Sequence, residues 1–497
     1  MLKQRFLVQF GSNMVIKVVA MIAGIVVARV AGPGVVGTLA FGMSYVSLWG
    51  FLNTTFAPAH LKLVSEGRNQ GDCIATYTYL KIWITALFIV VVFFWFIFQK
   101  HFLKYKFESI EQQYVIGIYV LVTVVTQMYN IVSNSYTATL QQAKANLPNL
   151  IQNIVFNFGR IGVVLLGFRA VGLASWNLIA VIIVSPICYR LFKKLPWGTW
   201  NKELMRKYIL YGIPTILFSI VNSVLLFADK LLLTHYTNVT ELGYYSAAFS
   251  IGGTFLLLSN AIGTIFFPLF SRLITENNWE QINIQIKIFQ RFCTQFILPF
   301  ILLLVVVSRP LLILMLGNEY EPSVISFMLI SLSSYFIIIG MPYGNIINGM
   351  GKFYLNVWIS LGKLAVFILA LTFFVSPRYL DLGATGVAIN YLLINVLSNL
   401  LYILVSNKIG KLKIDYTNSI RTIVVFLVTG ILYYISHSLF SQSNWIWLIQ
   451  IPLYFFVIYG ILFLTGMIKT DDIRLLWNTM NPRKTIIYIK SELKNEE

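Results

Sequence analysis

The chain carries little charge for its length. Only 11% of its 497 residues are charged and 58% are hydrophobic, whereas soluble domains carry about 25% charged residues. Mean hydropathy is +0.77, and apolar stretches of about 20 residues, long enough to cross a bilayer as helices, recur along the chain. The composition therefore excludes an ordinary soluble protein and predicts an all-α polytopic membrane protein.

Cysteine and histidine are scarce as well. The three cysteines, Cys73, Cys188 and Cys293, are scattered and odd in number, which favours neither a disulfide framework nor a metal cluster. The four histidines are isolated, and we interpret them as incidental. No loop is long enough for a soluble catalytic domain. We therefore predict that the protein is not an enzyme and has no cofactor and no metal site.

Acidic residues are outnumbered two to one, which leaves a net charge of +19. In a soluble protein that excess would suggest nucleic acid as a partner. Here most of the bases lie in the loops between apolar stretches, where the positive-inside bias and anionic lipid headgroups account for them. We expect membrane lipids, and not nucleic acid, to be the partners of this charge.

We predict about fourteen transmembrane helices. The expected spans are 9–31, 35–57, 76–98, 114–136, 150–168, 171–190, 208–234, 242–267, 288–308, 323–345, 354–375, 383–405, 420–440 and 445–468. The first run continues to Val30 without a small-residue cleavage site, which favours a transmembrane helix over a cleaved signal peptide. With an even count both termini share one side, which holds 25 Lys and Arg residues against 7 on the other. That bias predicts cytoplasmic termini.

Three pairs of similar segments indicate an internal repeat. The decapeptides "PAHLKLVSEG" (58–67) and "PLFSRLITEN" (268–277) match at an offset of 210. The other pairs are "TLQQAKANL" (139–147) with "INGMGKFYL" (347–355), at an offset of 208, and "AVGLA" (170–174) with "ATGVA" (384–388), at 214. Since each copy has six helices, both enter the membrane from the same side, as in parallel repeats of transporters.

The repeat predicts two six-helix lobes followed by a helix pair. We expect an N-lobe at 1–195, a C-lobe at 196–410, helices 13 and 14 at 411–470, and a cytoplasmic tail at 471–497.

Five bases lie well inside the predicted spans, away from the span ends: Lys17, Lys81, Arg160, Lys230 and Lys363. Each costs roughly 2.5–3.5 kcal/mol on insertion scales, so each is a functional hypothesis. Asp229 is the only clear acid among them, which leaves most of the bases without a carboxylate. Such bases could line a wet cavity that binds an anion, and phosphate suits both Arg and Lys.

Amides share helix faces with these bases. Asn153 and Arg160 lie on one face of helix 5, and helix 4 carries Gln127 and Asn130 on one side, at helical spacing. These faces cannot meet lipid, because unpartnered amides in hydrocarbon cost several kcal/mol. They either line the anion cavity or hydrogen-bond neighbouring helices.

Two of the bases do not require an anion. Lys81 could snorkel to the cytoplasmic edge of the membrane, with its aliphatic stem in the apolar region. Lys230 could pair with the neighbouring Asp229, which is also the only span acid available for ion coupling.

The chain resembles the polysaccharide flippases (Wzx type) of the multidrug, oligosaccharidyl-lipid and polysaccharide exporter superfamily. The similar segments are "VVARVAGPGVVGTLAFGMSYV" (26–46), "LLFADKLLLTHYTNVTELGYYSAAFSI" (225–251) and "LGATGVAIN" (382–390). The resemblance implies a fourteen-helix, two-lobed exporter in the bacterial inner membrane. It would move an undecaprenyl-diphosphate-linked oligosaccharide to the periplasmic leaflet by alternating access, for a surface polysaccharide such as O-antigen. A polysaccharide polymerase and a chain-length regulator would be further partners.

The resemblance also implies roles on helix 1. In the related lipid II flippases, arginines of helix 1 hold the diphosphate. The alignment puts Lys17 at one such position, Arg29 at another, and Ala23 where a further arginine stands, a departure that disfavours a lipid II flippase.

Two other functions stay open from the sequence alone. A drug or cation exporter of the superfamily would use acids on helix 1 or helix 7, and helix 1 has none. A membrane polymerase or glycosyltransferase would need catalytic acids or histidines in outer loops. The largest of these loops, 309–323, contains only Glu319 and Glu321 as acids.

The span assignment makes a topology prediction. Reporter fusions after Lys202 and after Lys413 should report a cytoplasmic position, because their loops belong to the strongly basic side. Fusions near Lys104 should report the periplasm. A periplasmic signal at Lys202 would contradict the assignment.

Overall fold

The computed structural model describes residues 2–102, 104, 107–410, 412, 423–431 and 447–464. Side chains are described from Ile16 onward, except at 214, 257–258, 260–262, 264–265, 353 and 447–450. Within these residues the chain forms helices and turns and no strand.

The α-helices are α1 (Leu2–Ser47), α2 (Phe51–Thr54), α3 (Ala57–Ser65), α4 (Gln70–His101), α5 (Ile110–Ala138), α6 (Gln142–Leu165), α7 (Ala170–Phe192), α8 (Lys202–Tyr236), α9 (Val239–Gly252), α10 (Leu256–Thr275), α11 (Trp279–Phe292), α12 (Leu298–Val306), α13 (Ser308–Leu316), α14 (Ser323–Gly349), α15 (Phe353–Val375), α16 (Gly383–Ile409), α17 (423–431) and α18 (Trp447–Leu464). Three-residue 3₁₀ helices lie at Leu48–Gly50, Gly253–Phe255 and Asn318–Tyr320, and a π-helical turn lies at Cys293–Ile297.

The expected fold class, an all-α polytopic membrane protein, is confirmed. Nine helices among the described residues are long and apolar enough to cross a membrane, with shorter apolar helices besides. Predicted spans 1 to 12 each correspond to described helices, although spans 2, 8 and 9 are built from more than one. Span 13 (420–440) is described only over 423–431, and the predicted tail (471–497) lies outside the described residues. The count of fourteen therefore stays a prediction.

Spans 1 and 2 form one continuous stretch that reverses at Gly32. Its φ of 78° lies in the left-handed region that glycine tolerates best. Pro33 follows and cannot donate a helix hydrogen bond, which separates the two parts of α1. We call this end of the bundle the Gly32 end. The chain then alternates between it and the opposite end, which carries both decapeptides and which we call the decapeptide end.

Both decapeptides end their helices in the same way. The residue after the motif glutamate is left-handed in each, with a φ of 73° at Gly67 and 54° at Asn277, a conformation that Gly and Asn adopt most readily. The glutamate amide donates to the carbonyl of the motif base four residues earlier, at 3.0 Å in both copies. The same two side chains form ion pairs of 3.8 Å and 3.3 Å. The repeat is thus a repeat of backbone structure.

The second pair of segments needs a correction of its offset. The turn after α5 is closed by the Gln141 amide on the Tyr136 carbonyl, and the turn after α14 by the Lys352 amide on the Ile347 carbonyl. These equivalent turns are 211 residues apart, not the 208 expected from matching letters. The sequence alignment differs from the structural one by three residues, because it matched Lys144 with Lys352 and not the two helix ends.

Candidate functional site

Arg160 joins α6 to the middle of α1. Its Nη2 donates to the carbonyl oxygen of Ala20 at 2.6 Å, and Gly24, one turn further, leaves room for the guanidinium against the helix. The guanidinium lies 5.1 Å from the centre of the Phe156 ring. Its Nε–H is buried without a hydrogen-bond partner. Arg160 therefore sits against α1 with donor capacity left over.

Lys17 lies on the same face of α1. It precedes Ala20, which contacts α6, by three residues, and precedes Met21 by four. Met21 accepts a hydrogen bond from Thr254, at 3.7 Å, in the second half of the chain. Residues three and four apart share a helix face, so Lys17 points between α6 and the 253–255 segment. Its side chain is exposed, and no described residue pairs with it. Lys17 thus lies on the same part of α1 that the guanidinium of Arg160 contacts.

Lys363 lies in the second half, on α15. Its face of the helix also carries Ile359 and Phe367, four residues away on either side, which are buried. The outward face carries Trp358 and Leu369, which are largely exposed. Lys363 is half-buried, and no described residue forms an ion pair or a hydrogen bond with its amine. The structure therefore directs a third base toward the inside of the bundle, on a different helix.

The predicted amide residues have neighbours of their own. Asn153 donates to the carbonyl of Asn149 in its own helix at 2.8 Å. Gln127 is buried and lies 3.5 Å from the amine of Lys81. Asn130 is half-buried and has no partner among the described residues. Only Asn153 shares a helix with one of the three bases, while Gln127 belongs to a separate cluster around Lys81.

Asp229 and Lys230 are engaged with each other. The two side chains form an ion pair of 3.2 Å, and Asp229 also accepts a hydrogen bond from Tyr245 at 2.9 Å. The amine of Lys230 donates to the carbonyl of Leu226 at 2.7 Å and faces the Phe249 ring at 5.6 Å. The acid considered for ion coupling is therefore already paired in this conformation.

Arg29 lies away from Lys17, close to the Gly32 end. Its guanidinium donates to the carbonyl of Leu314 in α13, and the hydroxyl of Tyr320 donates to the carbonyl of Ala28 at 3.1 Å. Both contacts join α1 to the second half of the chain. The structure therefore gives Arg29 a contact between the halves and does not bring it to Arg160.

Two glycines form a close backbone contact between the halves. A Cβ on Gly37 would lie 1.7 Å from the carbonyl oxygen of Val239, and a Cβ on Gly243 would lie 1.9 Å from that of Pro33. Gly37 lies four residues after Pro33, whose carbonyl contacts Gly243. Gly243 in turn lies four residues after Val239, whose carbonyl contacts Gly37. The contact is therefore reciprocal, as expected when two repeated halves meet across a pseudo-twofold axis. We call these four residues the seal.

Two glutamates flank the seal. Glu108, from the α4–α5 loop, accepts a hydrogen bond from the Val239 amide at 3.2 Å, which places a carboxylate at the N-terminus of α9, where negative charge is stabilised. Glu319, from the loop before α14, lies beside Gly32. Burial raises the pKa of Glu108, and the hydrogen bond from Val239 partly offsets that rise.

Sequence reasoning missed the seal and the environment of His60. Extending the repeat through Pro33 and Val239, 206 residues apart, would have paired Gly37 with Gly243. His60, interpreted as incidental, is fully buried between Tyr208 and Ser135. Its partners lie 75 and 148 residues away, so no local pattern could have identified them.

Solved structures define the class of fold. A structure titled lipid II flippase MurJ, inward closed conformation, is similar over 93% of this chain and 100% of its own, with a TM-score of 0.68 and 15% identity. An inward-facing multidrug resistance MATE family transporter of the MOP superfamily matches over 79% of this chain and 94% of its own, with a TM-score of 0.63 and 15% identity. A MOP superfamily transporter from Pyrococcus furiosus matches over 81% and 94%, with a TM-score of 0.56 and 16% identity. The chain is thus a multi-pass membrane protein with the fold of these transporters.

The sequence then identifies the family. The profile of the family described as polysaccharide biosynthesis protein matches residues 26–325, more than half of the chain. The protein belongs to that family, which confirms the resemblance drawn from its motifs. Among proteins with curated descriptions, none matches the chain.

The seal predicts an effect of side-chain size at Gly37. Gly37→Val should push α1 away from Val239, since an overpacked contact typically costs about 1–3 kcal/mol, and so favour a conformation with the seal open. Thr38→Cys, at a buried position beside Gly37, introduced into a variant without the three native cysteines, reports opening through labelling by a water-soluble maleimide. Labelling should rise at least fivefold. Gly117→Val is the matched control, because a Cβ on Gly117 meets no atom within 4 Å. Equal labelling of the two valine variants would contradict the seal.

Glu108 predicts a pH dependence of the same contact. Its pKa is raised in the closed conformation and would return toward its ordinary value once hydrated, so closure takes up a proton. Closure should therefore strengthen as pH falls and weaken as pH rises through the raised pKa. Glu108→Gln keeps an acceptor for Val239 and should give closure that does not change with pH.

The measurement is Thr38→Cys labelling across about pH 5 to 8, a range above the ordinary Glu pKa, with the labelling rate of the unfolded protein at each pH correcting for thiol reactivity. Glu241→Gln is the control, because Glu241 accepts from the Ala384 amide at 2.8 Å within the second half. Loss of the pH response in that variant, or its survival in Glu108→Gln, would contradict the assignment.

Proposed function

We propose that the protein is a flippase that carries an undecaprenyl-diphosphate-linked oligosaccharide across the bacterial inner membrane for the synthesis of a surface polysaccharide. The family supports a role in polysaccharide biosynthesis, and the fold is that of transporters that include a lipid II flippase. The lipid-linked oligosaccharide is then the substrate, and no covalent chemistry is needed.

One observation carries the substrate class. Lys17 lies on the part of α1 that Arg160 of α6 contacts, within the membrane span. No described carboxylate pairs with either base. A span that keeps two bases without a counter-charge needs an anion to offset their cost. A diphosphate fits, because Arg binds phosphate oxygens through its planar fork and Lys through a point charge. Lys363 supplies a third base from the other half, and Asn153 adds an amide on the helix of Arg160.

The seal supplies the other requirement of a flippase, a barrier on one side. The halves are joined at the Gly32 end, and Lys17 faces the space on the decapeptide side of the Met21 contact. We propose that the Gly32 end is periplasmic and the decapeptide end cytoplasmic, with both termini inside. The substrate diphosphate would enter from the cytoplasm, bind Lys17 and Arg160, and leave when the seal opens. Arg29, close to the seal, would meet the diphosphate only after that opening.

Ala23 favours an oligosaccharide carrier over a lipid II flippase. The resemblance puts it where lipid II flippases have an arginine, and here it is fully buried, so this packing has no room for an arginine. We propose that a polysaccharide polymerase and a chain-length regulator act on the transported product.

Alanine variants test the anion site. Lys17→Ala, Arg160→Ala and Lys363→Ala should each reduce polymer export at least tenfold at equal protein level, because a hydrogen bond to a charged group is worth about 1.5–3 kcal/mol. Surface polymer is measured in cells that lack the native gene. Lys144→Ala is the control, since that exposed amine contacts only Gln141 and the Tyr136 ring. Full export by the triple alanine variant would contradict the proposal.

A further inference from the structure

A second basic residue of the first half is buried more deeply than those of the anion site. Lys81 on α4 is only 1% exposed, so it does not snorkel to the membrane edge as one sequence interpretation allowed. Its amine donates to the backbone carbonyl of Asn53 and lies 3.5 Å from Oε1 of Gln127. It lies 5.6 Å from the centre of the Tyr77 ring. No described carboxylate pairs with it.

The carbonyl that Lys81 binds is free because helix 2 is broken there. α2 ends at Thr54, and α3 begins at Ala57 with Pro58 in its first turn. The helical bonds that would satisfy the carbonyls of Asn53 and Thr55 are interrupted by this break, and Pro58, which has no amide hydrogen, cannot donate to the Thr54 carbonyl between them. Within the break, the Lys81 amine donates to the Asn53 carbonyl, and the Thr215 hydroxyl of α8 donates to the Thr55 carbonyl at 3.0 Å. Side chains of α4 and α8 thus replace helix hydrogen bonds at one point.

Asn53 leaves unused hydrogen-bonding capacity at this site. Its side-chain Nδ2 and Oδ1 are both buried without a partner among the described residues. A protonated lysine amine has three hydrogens to donate, and a neutral amine has two hydrogens and one lone pair. The carbonyl of Asn53 and the amide oxygen of Gln127 serve two hydrogens in either state, so the two protonation states differ only at the third position of the amine.

His60 connects this site toward the decapeptide end. Its ring stacks on Tyr77 with centres 4.0 Å apart, so His60 and Lys81 both contact the same tyrosine ring. His60 Nδ1 lies 2.8 Å from the hydroxyl of Tyr208, and Nε2 lies 3.0 Å from that of Ser135. Tyr208 in turn donates to the carbonyl of Cys73 at 3.1 Å.

A polar pocket lies at the decapeptide end of the same helices. Arg68, Asp72 and Lys207 are among the side chains that line it, and Asp72 and Lys207 immediately precede Cys73 and Tyr208 in their helices. The cluster of Tyr208, His60 and Tyr77 therefore lies between Lys81 and the end of the helices that carries the pocket.

We propose that Lys81 is a proton-binding site that couples flipping to a proton gradient, with the polar cluster around His60 marking the side from which the proton arrives. A proton adds to the lone pair of Nζ in one step and leaves from Nζ in another, so no other reactant is required. An intramembrane base without a counter-charge is costly while protonated, which makes release available. The ionisable groups around it are His60 on α3, Tyr77 and Cys73 on α4, and Tyr208 on α8, with Arg68, Asp72 and Lys207 in the pocket.

The site is placed to act on the movement of the halves. Lys81 donates to one carbonyl of the break and Thr215 to a neighbouring one, and Thr215 lies on α8, the first helix of the second half, which continues to Asp229. A change of protonation at Lys81 alters its hydrogen bond to the Asn53 carbonyl, while the hydrogen bond from Thr215 to the Thr55 carbonyl remains. The inference rests on the proposed flippase function, because it supplies the driving ion of that transport.

Proteoliposomes with a trapped pH dye test the site. The probe is a polyprenyl diphosphate bearing one fluorescent sugar, and flipping is measured at equal pH and under a pH difference of about one unit, worth about 1.4 kcal/mol per proton. The wild type should flip the probe at least threefold faster under the gradient, with proton movement in the dye signal. Lys81→Met, which carries no proton, and Lys81→Arg, which does not release one, should flip at equal pH without acceleration. Lys144→Met is the matched control and should keep the acceleration.

The outcomes separate the two proposals. A wild type that does not flip the probe overturns the proposed function. A wild type that flips it at one rate with and without the gradient overturns the proton site alone, as does acceleration retained in both Lys81 variants. Loss of flipping at equal pH in both variants, with folding intact by thermal melting, would place Lys81 in the substrate path and also overturn it. If the Lys81→Met variant does not fold, the acceleration measured in the Lys81→Arg variant alone tests the proton site. His60→Gln should slow the gradient response, and an unchanged response would contradict proton entry from the side of His60.

Discussion

The arrangement of this protein depends on the reciprocal contact of Gly37 with Val239 and of Gly243 with Pro33. Helices that meet in a membrane gain little from hydrophobic burial, because lipid is as apolar as their side chains, so close backbone packing at small residues must hold them. A carbonyl oxygen can lie against each glycine only because no Cβ is present. By fixing the halves at one end, this contact lets them separate elsewhere, which is the geometry that a carrier with alternating access needs.

Satisfying backbone groups accounts for where the unusual side chains lie. In hydrocarbon every free carbonyl needs a donor, and three span bases of the first half, Lys81, Arg160 and Arg29, donate to carbonyls. Burying such bases has a cost, yet each also joins helices that are distant in sequence. Lys17 and Lys363 differ, because no described residue accepts from them. Bases of the first kind hold helices together, and bases of the second kind are free to bind the anion proposed above; Arg160 belongs to both, because its Nε–H keeps no partner.

Much of the fold could be predicted from the sequence, because apolar length and loop charge are local signals. The repeat was visible for the same reason, since the decapeptides end their helices with the same left-handed turn and ion pair. The candidate site was only partly predictable. Helical spacing placed Asn153 and Arg160 on one face of a helix, but it could not show that Gln127 turns toward Lys81 or that Asp229 is held by Tyr245. Those contacts join residues of different helices, whose rotation about their axes is fixed by packing and not by their own periodicity.

The repeat also constrains how function is divided between the halves. A contact on a pseudo-twofold axis must be made by equivalent residues of both, as in isologous interfaces, and the two seal glycines meet that condition. A lipid diphosphate attached to an oligosaccharide has no such symmetry, so its site need not be duplicated. The bases follow this logic: Lys17 and Arg160 come from the first half, while the span acid Asp229 lies in the second and is paired with Lys230. In the proposed flippase the repeat thus accounts for a symmetric barrier, and the bases that the two halves do not share account for the anion site behind it.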